Sequence, residues 1–504
     1  MLTHFWGTRG SVARPGPSTL RFGGNTSCVE VRCDDGTLIV LDCGTGAWGL
    51  GQSLLSSPPT ELPAARSASG GVRGHLLLTH THWDHIQGFP FFAPLFVPGN
   101  EWDVYGPGGT GNRLEETLAG QMEYTYFPVS LEQLGATIRF HDLDEGTYQI
   151  GGAQVTARYL NHPAVTLGYR IEAGGRSVVY AVDHEPHSRH QPDAVFGARI
   201  ASSGIPIPLR GPVHQEDQRH IEFLRGADLV IHDAQYTAAE YPAKLGWGHT
   251  AAETAVEFAV AAGAKRLALF HHDPARGDAA LATLEHVCRM HAADAGGVGA
   301  SLEVHAAAEG QVVELTESDV VATSPSLIPE VTNFATAPEH TGRGEAASVV
   351  AKEPDTVLIV DDEPQVVRLL MQALKSENLR LLTAGDAATA LRLARSERPD
   401  LILLDWRMPG QSGLDVCRAI RADENHHLRA IPVVLLTALT ASEDTDAAFE
   451  AGATDYLTKP FGVAHVRARV HEWLLRGHHT GKATPTHSVP TSESPSVAVA
   501  TPAG

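Results

Sequence analysis

Four potential metal ligands fall within six residues in the run His80-Thr81-His82-Trp83-Asp84-His85. Few other features limit so sharply what a chain can fold into. The run follows the apolar segment Leu76-Leu77-Leu78-Thr79, which reads as a buried strand delivering a tight polar loop at its end. Such a loop can aim its side chains at one place only if a rigid element fixes its start. Imidazole nitrogen and carboxylate oxygen together suit zinc, and also iron or manganese, and a catalytic site must leave a position for water.

The same pattern recurs. Leu38 to Asp42, His75 to His80, Ser177 to Asp183, Asp228 to Asp233 and Arg266 to His271 are each apolar runs with a reactive tip. A helical spacing of Ala, Val and Phe runs from Thr250 to Ala262, after Gly248-His249, so layers of helix and sheet are expected, an α/β fold. At 504 residues the chain exceeds what one core usually organises, which predicts two domains. Residues 317–354 read as a flexible linker, and residues 477–504, rich in Thr, Pro, Ser and Ala, as a disordered tail. No internal repeat of solenoid period is evident.

Composition narrows the function. No apolar run reaches bilayer length and no secretion signal is evident at the N-terminus. The five cysteines have no metal-type spacing, so a reduced, cytoplasmic protein is expected. A formal charge of -21 works against a nucleic-acid partner, whose binding rests on clustered Lys and Arg. A small substrate suits this charge better.

His80 to His85 resembles the signature of the metallo-β-lactamase superfamily, and most of residues 1–316 can be laid against its ribonuclease Z-like branch. Leu41-Asp42-Cys43-Gly44 looks like the first motif, whose aspartate orients a metal-binding histidine. Asn161-His162-Pro163 resembles the segment supplying a third histidine, Tyr180-Ala181-Val182-Asp183 the strand whose aspartate bridges two metals, and Leu267-Ala268-Leu269-Phe270-His271 the last strand. The resemblance implies an αββα sandwich. In it His80, His82 and His162 would hold one metal, Asp84, His85 and His271 a second, and Asp183 would join them, with His272 the alternative to His271. Two divalent metals are implied, zinc first and manganese or iron as alternatives.

Such a centre hydrolyses, with Asp84 counted among the catalytic groups. Gly248-His249-Thr250 resembles the conserved His loop of ribonuclease Z-like enzymes, which makes His249 the candidate general acid and Asp233 the carboxylate that orients it. That pair favours phosphodiesters over lactams or thioesters. A small cyclic nucleotide or similar phosphodiester is the first expectation, with RNA processing behind it. A non-catalytic signalling adaptor is the rival reading, and the di-iron redox branch a third. The stretch Gly88 to Pro98 and the residues Met122 to Phe127 are aromatic enough to stack a base, or simply to pack on the core.

Beyond the linker, strands at Thr356 to Asp361, Leu379 to Ala384, Leu401 to Asp405, Val433 to Thr437 and Asp455 to Lys459 alternate with helical stretches. This predicts a doubly wound (βα)5 parallel sheet with functional groups at the strand ends. Residues 355–476 resemble a response-regulator receiver domain. The resemblance makes Asp405 the phosphoacceptor, gives Mg²⁺ the oxygens of Asp361, Asp362, Asp405 and the Arg407 carbonyl, and makes Thr437, Tyr456 and Lys459 the switch residues. A histidine kinase or phosphotransfer protein is the implied partner. Regulation is expected to act through domain contact or through a homodimer.

Overall fold

The computed structural model describes residues 1–56, 70–108, 113–187, 215–295, 301–316, 354–375, 379–437, 447–448, 451–459, 461, 466–467, 469–471 and 473–474. The expected linker, apart from residue 354, and the expected tail lie outside them.

The first sheet has the order β14-β1-β2-β3-β4-β5-β6. Its strands are β1 (Leu2–Gly7), β2 (Cys28–Arg32), β3 (Leu38–Leu41), β4 (Arg73–Leu77), β5 (Glu101–Pro107), β6 (Thr137–Leu143) and β14 (Val312–Glu314). The second has the order β13-β12-β11-β10-β9-β8-β7. It is built from β7 (Gly146–Ile150), β8 (Ala153–Leu160), β9 (Thr166–Ala173), β10 (Arg176–Ala181), β11 (Leu229–Asp233), β12 (Arg266–Phe270) and β13 (Glu303–Ala306). Each sheet is mixed. β3 to β6 run parallel, as do β10 to β13.

Parallel neighbours need a crossover, usually a helix, and these crossovers supply the outer layers. Ala47–Ser56 joins β3 to β4 and Leu114–Gln121 lies between β5 and β6. On the other side, Gln215–Leu224, Ala252–Ala262 and Asp278–Asp294 link β10 through β13. One apolar cluster sits between the sheets, drawing Val29, Leu77 and Tyr105 from one and Tyr169, Ile231 and Phe270 from the other. Two further clusters lie beneath the helices of each outer layer. The layers are helix, sheet, sheet, helix. β14 returns to the edge of β1, pairing Glu314 with Leu2, and so closes the ends of the domain on one another.

Trp102 on β5 is fully buried in the outer cluster of the first sheet, edge-on to Phe92 at 4.9 Å. Its indole N–H is unpaired there. Trp102→Ala is expected to cost about 3 kcal/mol, the low end for a large aromatic, because truncation also removes that unsatisfied donor. Urea unfolding of the full chain checks this, and a transition at the wild-type midpoint would contradict the packing described.

The third sheet is parallel, with the order β16-β15-β17-β18-β19. Its strands are β15 (Asp355–Val360), β16 (Leu379–Ala384), β17 (Leu401–Asp405), β18 (Val433–Thr437) and β19 (Asp455–Thr458). Apolar clusters cover both of its faces. That explains why β17 and β18 are buried at every residue and read as unbroken apolar runs rather than alternating ones. Trp406 belongs to one of these clusters, in keeping with a packing role.

Candidate metal centre

The residues singled out in the first domain converge from six strand ends. Asp42 follows β3, Thr79 to His85 follow β4, His162 follows β8, Asp183 follows β10, Asp233 ends β11, and His271 follows β12. Asp42, Asp183 and His271 have φ of 58°, 57° and 58°, a left-handed conformation uncommon for residues other than Gly, Asn and Asp. That turn carries each side chain off its strand and into the site. Backbone strain concentrated at three converging residues is the kind found at functional positions.

Four of the histidines are fixed through Nδ1. His85 donates to Asp42 Oδ2 at 2.7 Å, His162 to the Gly248 carbonyl at 2.9 Å, and His271 to Gln235 Oε1 at 2.9 Å. His80 Nδ1 lies 3.1 Å from Thr79 Oγ1, whose hydroxyl is in turn on Asp42. Each imidazole is thereby left presenting Nε2 inward. His82, more exposed, turns Nδ1 toward His162 Nε2 at 3.2 Å.

The inward atoms sort around Asp183. Its Oδ2 lies 3.6 Å from His80 Nε2 and 3.4 Å from His162 Nε2. Its Oδ1 lies 3.3 Å from His85 Nε2 and 3.0 Å from His271 Nε2. Asp84 Oδ2 faces His271 Nε2 at 3.1 Å and His85 Nε2 at 3.3 Å, and accepts the Ser11 N–H at 2.7 Å. His80 Nε2, His85 Nε2 and Asp183 Oδ1 are buried without hydrogen-bond partners. Nitrogen and oxygen donors converging within 4.8 Å in the groups His80/His82/His162/Asp183 and Asp84/His85/His271 fit divalent ions, which would satisfy the orphaned atoms. A third overlapping group includes Asp233 and His249. There the Asp233 oxygens are already engaged by His249 Nδ1 at 2.7 Å and by the N–H groups of Gln235 and Thr250, each at 3.1 Å.

The electrostatics of His80, His162, Asp84 and Asp183 agree with a ligand role, while the carboxylates of Asp84, Asp183 and Asp42 hold His85 well above the usual imidazole range against the penalty of its burial. Burial, reinforced by its histidine neighbours, holds His80 well below the usual imidazole range, and burial brings His162 down to about 3. Both stay neutral, the state that binds metal. Asp84 and Asp183 resist the penalty of burial because the surrounding histidines hold them well below the carboxylate range. His249 behaves differently. Burial opposes its charge, but Asp233, and more distantly Asp183 and Asp84, push it up to about 9. Its ring stacks 4.9 Å from His271 and lies 5.3 Å from His162, between the two donor groups.

Several participants carry no motif of their own. Thr79 links Asp42 to His80, Gln235 orients His271, Tyr180 donates to Asp42 Oδ2 at 3.0 Å, and Ser11 fixes Asp84. Glu185 accepts from the Tyr241 hydroxyl at 3.1 Å and from the Gly246 and Gly248 N–H groups, both at 2.8 Å. Gly248 has φ of 85°, and a Cβ there would lie 2.3 Å from His162 Nδ1, so only glycine lets this carbonyl reach the histidine. His272 turns away, with Nε2 on the Ala307 carbonyl at 2.8 Å. The aromatic stretch divides: Phe89 and Phe92 are core, whereas Phe91, packed edge-on against Phe127, and Phe96 are exposed, as are Tyr124 and Tyr126.

In the third sheet, Asp361 follows β15, Asp405 ends β17, Thr437 ends β18 and Lys459 follows β19. Lys459 Nζ lies 2.6 Å from both Asp361 Oδ2 and Asp405 Oδ1, and Asp405 Oδ2 accepts the Arg407 N–H at 2.9 Å. Burial raises Asp405 against the pull of Lys459. Asp362, half-buried, is next to Asp361. The carboxylates here are oxygen donors of the kind suited to Mg²⁺. The Tyr456 hydroxyl donates to the His187 carbonyl of the first domain at 3.1 Å, while the residue packs, partly buried, against one of the apolar clusters of the sheet.

Residues 37–202 match the family described as the beta-lactamase superfamily domain, and residues 357–471 match the response regulator receiver domain. The DNA-binding response regulator MtrA of Mycolicibacterium smegmatis is 43% identical over 120 residues, 24% of this chain and 50% of the relative. The chain thus spans about half the length of the curated relatives it matches. Among solved structures, the metallo-beta-lactamase fold protein YhfI from Bacillus subtilis is 18% identical, covering 62% of this chain and 98% of its own, with a TM-score of 0.40. Human tRNase Z, short form, is 21% identical, covering 63% and 100%, with a TM-score of 0.39.

Proposed function

From a chain that joins a β-lactamase-superfamily domain to a response regulator receiver domain, we propose a two-metal phosphodiesterase for small substrates, switched by phosphorylation of Asp405. His80, His82 and His162 would hold one ion, Asp84, His85 and His271 the other, and Asp183 would join the two sets. Bound there, two divalent ions supply polarisation of the phosphoryl oxygens and activation of water. Zinc suits this imidazole-rich set best.

The observation that carries the reading is the His249–Asp233 pair beside both donor groups. A phosphodiester with an alkoxide leaving group needs a proton as its P–O bond breaks. His249 holds one at Nε2, and Asp233 keeps the ring protonated and oriented. Asp42, Thr79 and Gln235 hold ligand imidazoles in place before substrate arrives, so alignment costs little during turnover.

Substrate size follows from the rim. Trp83, next to His82, is 62% exposed, and Trp247, next to Gly248, is 58% exposed. Lys244 Nζ lies 4.1 Å from the centre of the Trp247 ring. Exposed indoles next in sequence to His82 and Gly248, one of them with a lysine ammonium over its ring, suit a nucleobase joined to phosphate. The formal charge of -21 disfavours a long polyanion, so a cyclic nucleotide is preferred to RNA. Zinc-loaded protein assayed on bis(p-nitrophenyl) phosphate, cyclic nucleotides, a transfer-RNA precursor and a β-lactam tests the class. Cleavage of the first two is expected; cleavage of only the β-lactam or only the RNA precursor would overturn it.

A further inference from the structure

Among the described residues, two hydrogen bonds reach from the receiver to the metal domain at the loops that position His162 and His249. One is the Tyr456 hydroxyl on the His187 carbonyl. In the other, Arg469 Nη1 donates to Asn161 Oδ1 at 2.8 Å. Arg469 is buried and held as a rigid fork. Its Nη2 pairs with Asp455, its guanidinium lies 5.0 Å from the centre of the Trp473 ring, and Trp473 Nε1 donates to the same Asp455 oxygen at 2.9 Å.

On the metal-domain side, Asn161 is the residue before His162. Its Nδ2 donates to the Glu185 carbonyl at 2.8 Å, and its own carbonyl accepts the Glu185 N–H at 2.8 Å. The Glu185 carboxylate gathers Tyr241 and the N–H groups of Gly246 and Gly248, and the Gly248 carbonyl receives His162 Nδ1. Asn161 and Glu185 therefore tie together three loops: the one carrying His162, the one after Asp183, and the one carrying His249. The receiver grips this knot through Arg469.

We propose that this chain's own receiver is the partner of the Asn161–His187 surface, and that Asn161 is a positioning residue through which phosphorylation of Asp405 loosens the alignment of His162 and His249. The inference rests on reading the first domain as a two-metal hydrolase. In phosphorylation, an Asp405 oxygen attacks the donor phosphorus, an acyl phosphate forms, and the donor's bond to phosphorus, P–N in a phosphohistidine and P–O in acetyl phosphate, breaks with its electron pair leaving on the donor. With acetyl phosphate the leaving group is acetate.

The new phosphoryl oxygens compete for Lys459, now shared between Asp361 and Asp405. Lys459 directly follows β19, and Tyr456 lies on that strand three residues earlier, so a shift of the lysine is felt where the receiver touches the metal domain. Loss of the Tyr456 and Arg469 bonds releases the knot.

The test is hydrogen exchange on the full zinc-loaded chain, with and without acetyl phosphate and Mg²⁺, alongside the rate on bis(p-nitrophenyl) phosphate. Phosphorylation is expected to speed exchange at residues 160–163 and 184–187 and to lower the rate, each by about 5- to 10-fold. Asp405→Asn abolishes both responses, Tyr456→Phe narrows them, and Arg469→Ala shows the loosened state without acetyl phosphate. Should Arg469→Ala fail to fold, Asn161→Ala removes the same bond from the other side. Phosphorylated Asp405 with unchanged exchange in both segments overturns the proposal, even if the diester is cleaved. An exchange response in a protein that cleaves no diester supports the contact and refutes the hydrolase.

Discussion

Asp183→Asn is expected to reduce the bound divalent ions from two to one and to lower diester turnover by at least about 10³-fold, or ~4 kcal/mol of transition-state stabilisation. The substitution is nearly isosteric. Asn also tolerates the left-handed backbone that Asp183 adopts at φ 57°, so the change isolates the carboxylate's charge and its second oxygen. Those two oxygens divide the four facing imidazoles, two to each. An amide offers one acceptor and, on the other side, an NH₂ group aimed at imidazole lone pairs. Metal content by mass spectrometry and turnover on the same sample check it. Retention of two tightly held ions with turnover within tenfold of wild type would contradict the bridging assignment.

His249→Ala is expected to leave both ions bound and to lower kcat on a cyclic nucleotide by about 10²- to 10⁴-fold. The effect depends on the leaving group. p-Nitrophenolate departs without protonation, so bis(p-nitrophenyl) phosphate should lose far less than a substrate with an alkoxide leaving group. A merely structural histidine would depress both equally. The pH profile supplies a second readout. Activity needs the protonated imidazole, so it falls as pH rises through the His249 pKa. Asp233 raises that pKa, to about 9 in the metal-free protein, and two bound cations oppose the charge and draw it down. Asp233→Asn removes the raising group, so the alkaline loss must begin at lower pH than in wild type. A limb that stays in place would mean that another group titrates.

Much of this was legible where chemistry and chain order coincide. The spacing of His80 to His85 picked out four candidate donors outright. Asp42, Asp183, Asp233 and His271 each ended an apolar run, a placement that the converging strand ends reproduce, whereas His162 was singled out only by the Asn161-His162-Pro163 resemblance. In the receiver, β17 and β18 fell where unbroken apolar runs placed them, because the strands of a parallel sheet covered on both faces leave no polar alternation to mislead. Strands with mixed faces were harder. β8 alternates as Val155, Ala157 and Tyr159 inward against Gln154, Thr156 and Arg158, a period-two signal that a search for continuous apolar runs passes over. The pairing of β1 with β14 joins the two ends of the domain and has no local signature.

The supporting residues of the site were hidden for a related reason. Gln235 and Thr79 act through single hydrogen bonds whose partners are fixed by the fold, and Ser11 reaches Asp84 across 73 positions. Glu185 had a readable signal, a carboxylate two residues beyond Asp183 in a segment otherwise destined for burial. Tyr456 was singled out by the receiver resemblance, from its place three residues before Lys459. Its partner was not, since the His187 carbonyl belongs to another domain and carries no side-chain code.

A titration of metal-free full-length protein with zinc, following hydrolysis of bis(p-nitrophenyl) phosphate, decides whether the first domain is a two-metal phosphodiesterase. Turnover should rise with added zinc, level off at two equivalents and vanish on chelation. Two equivalents bound with no hydrolysis would instead make the domain a metal-holding scaffold for signalling.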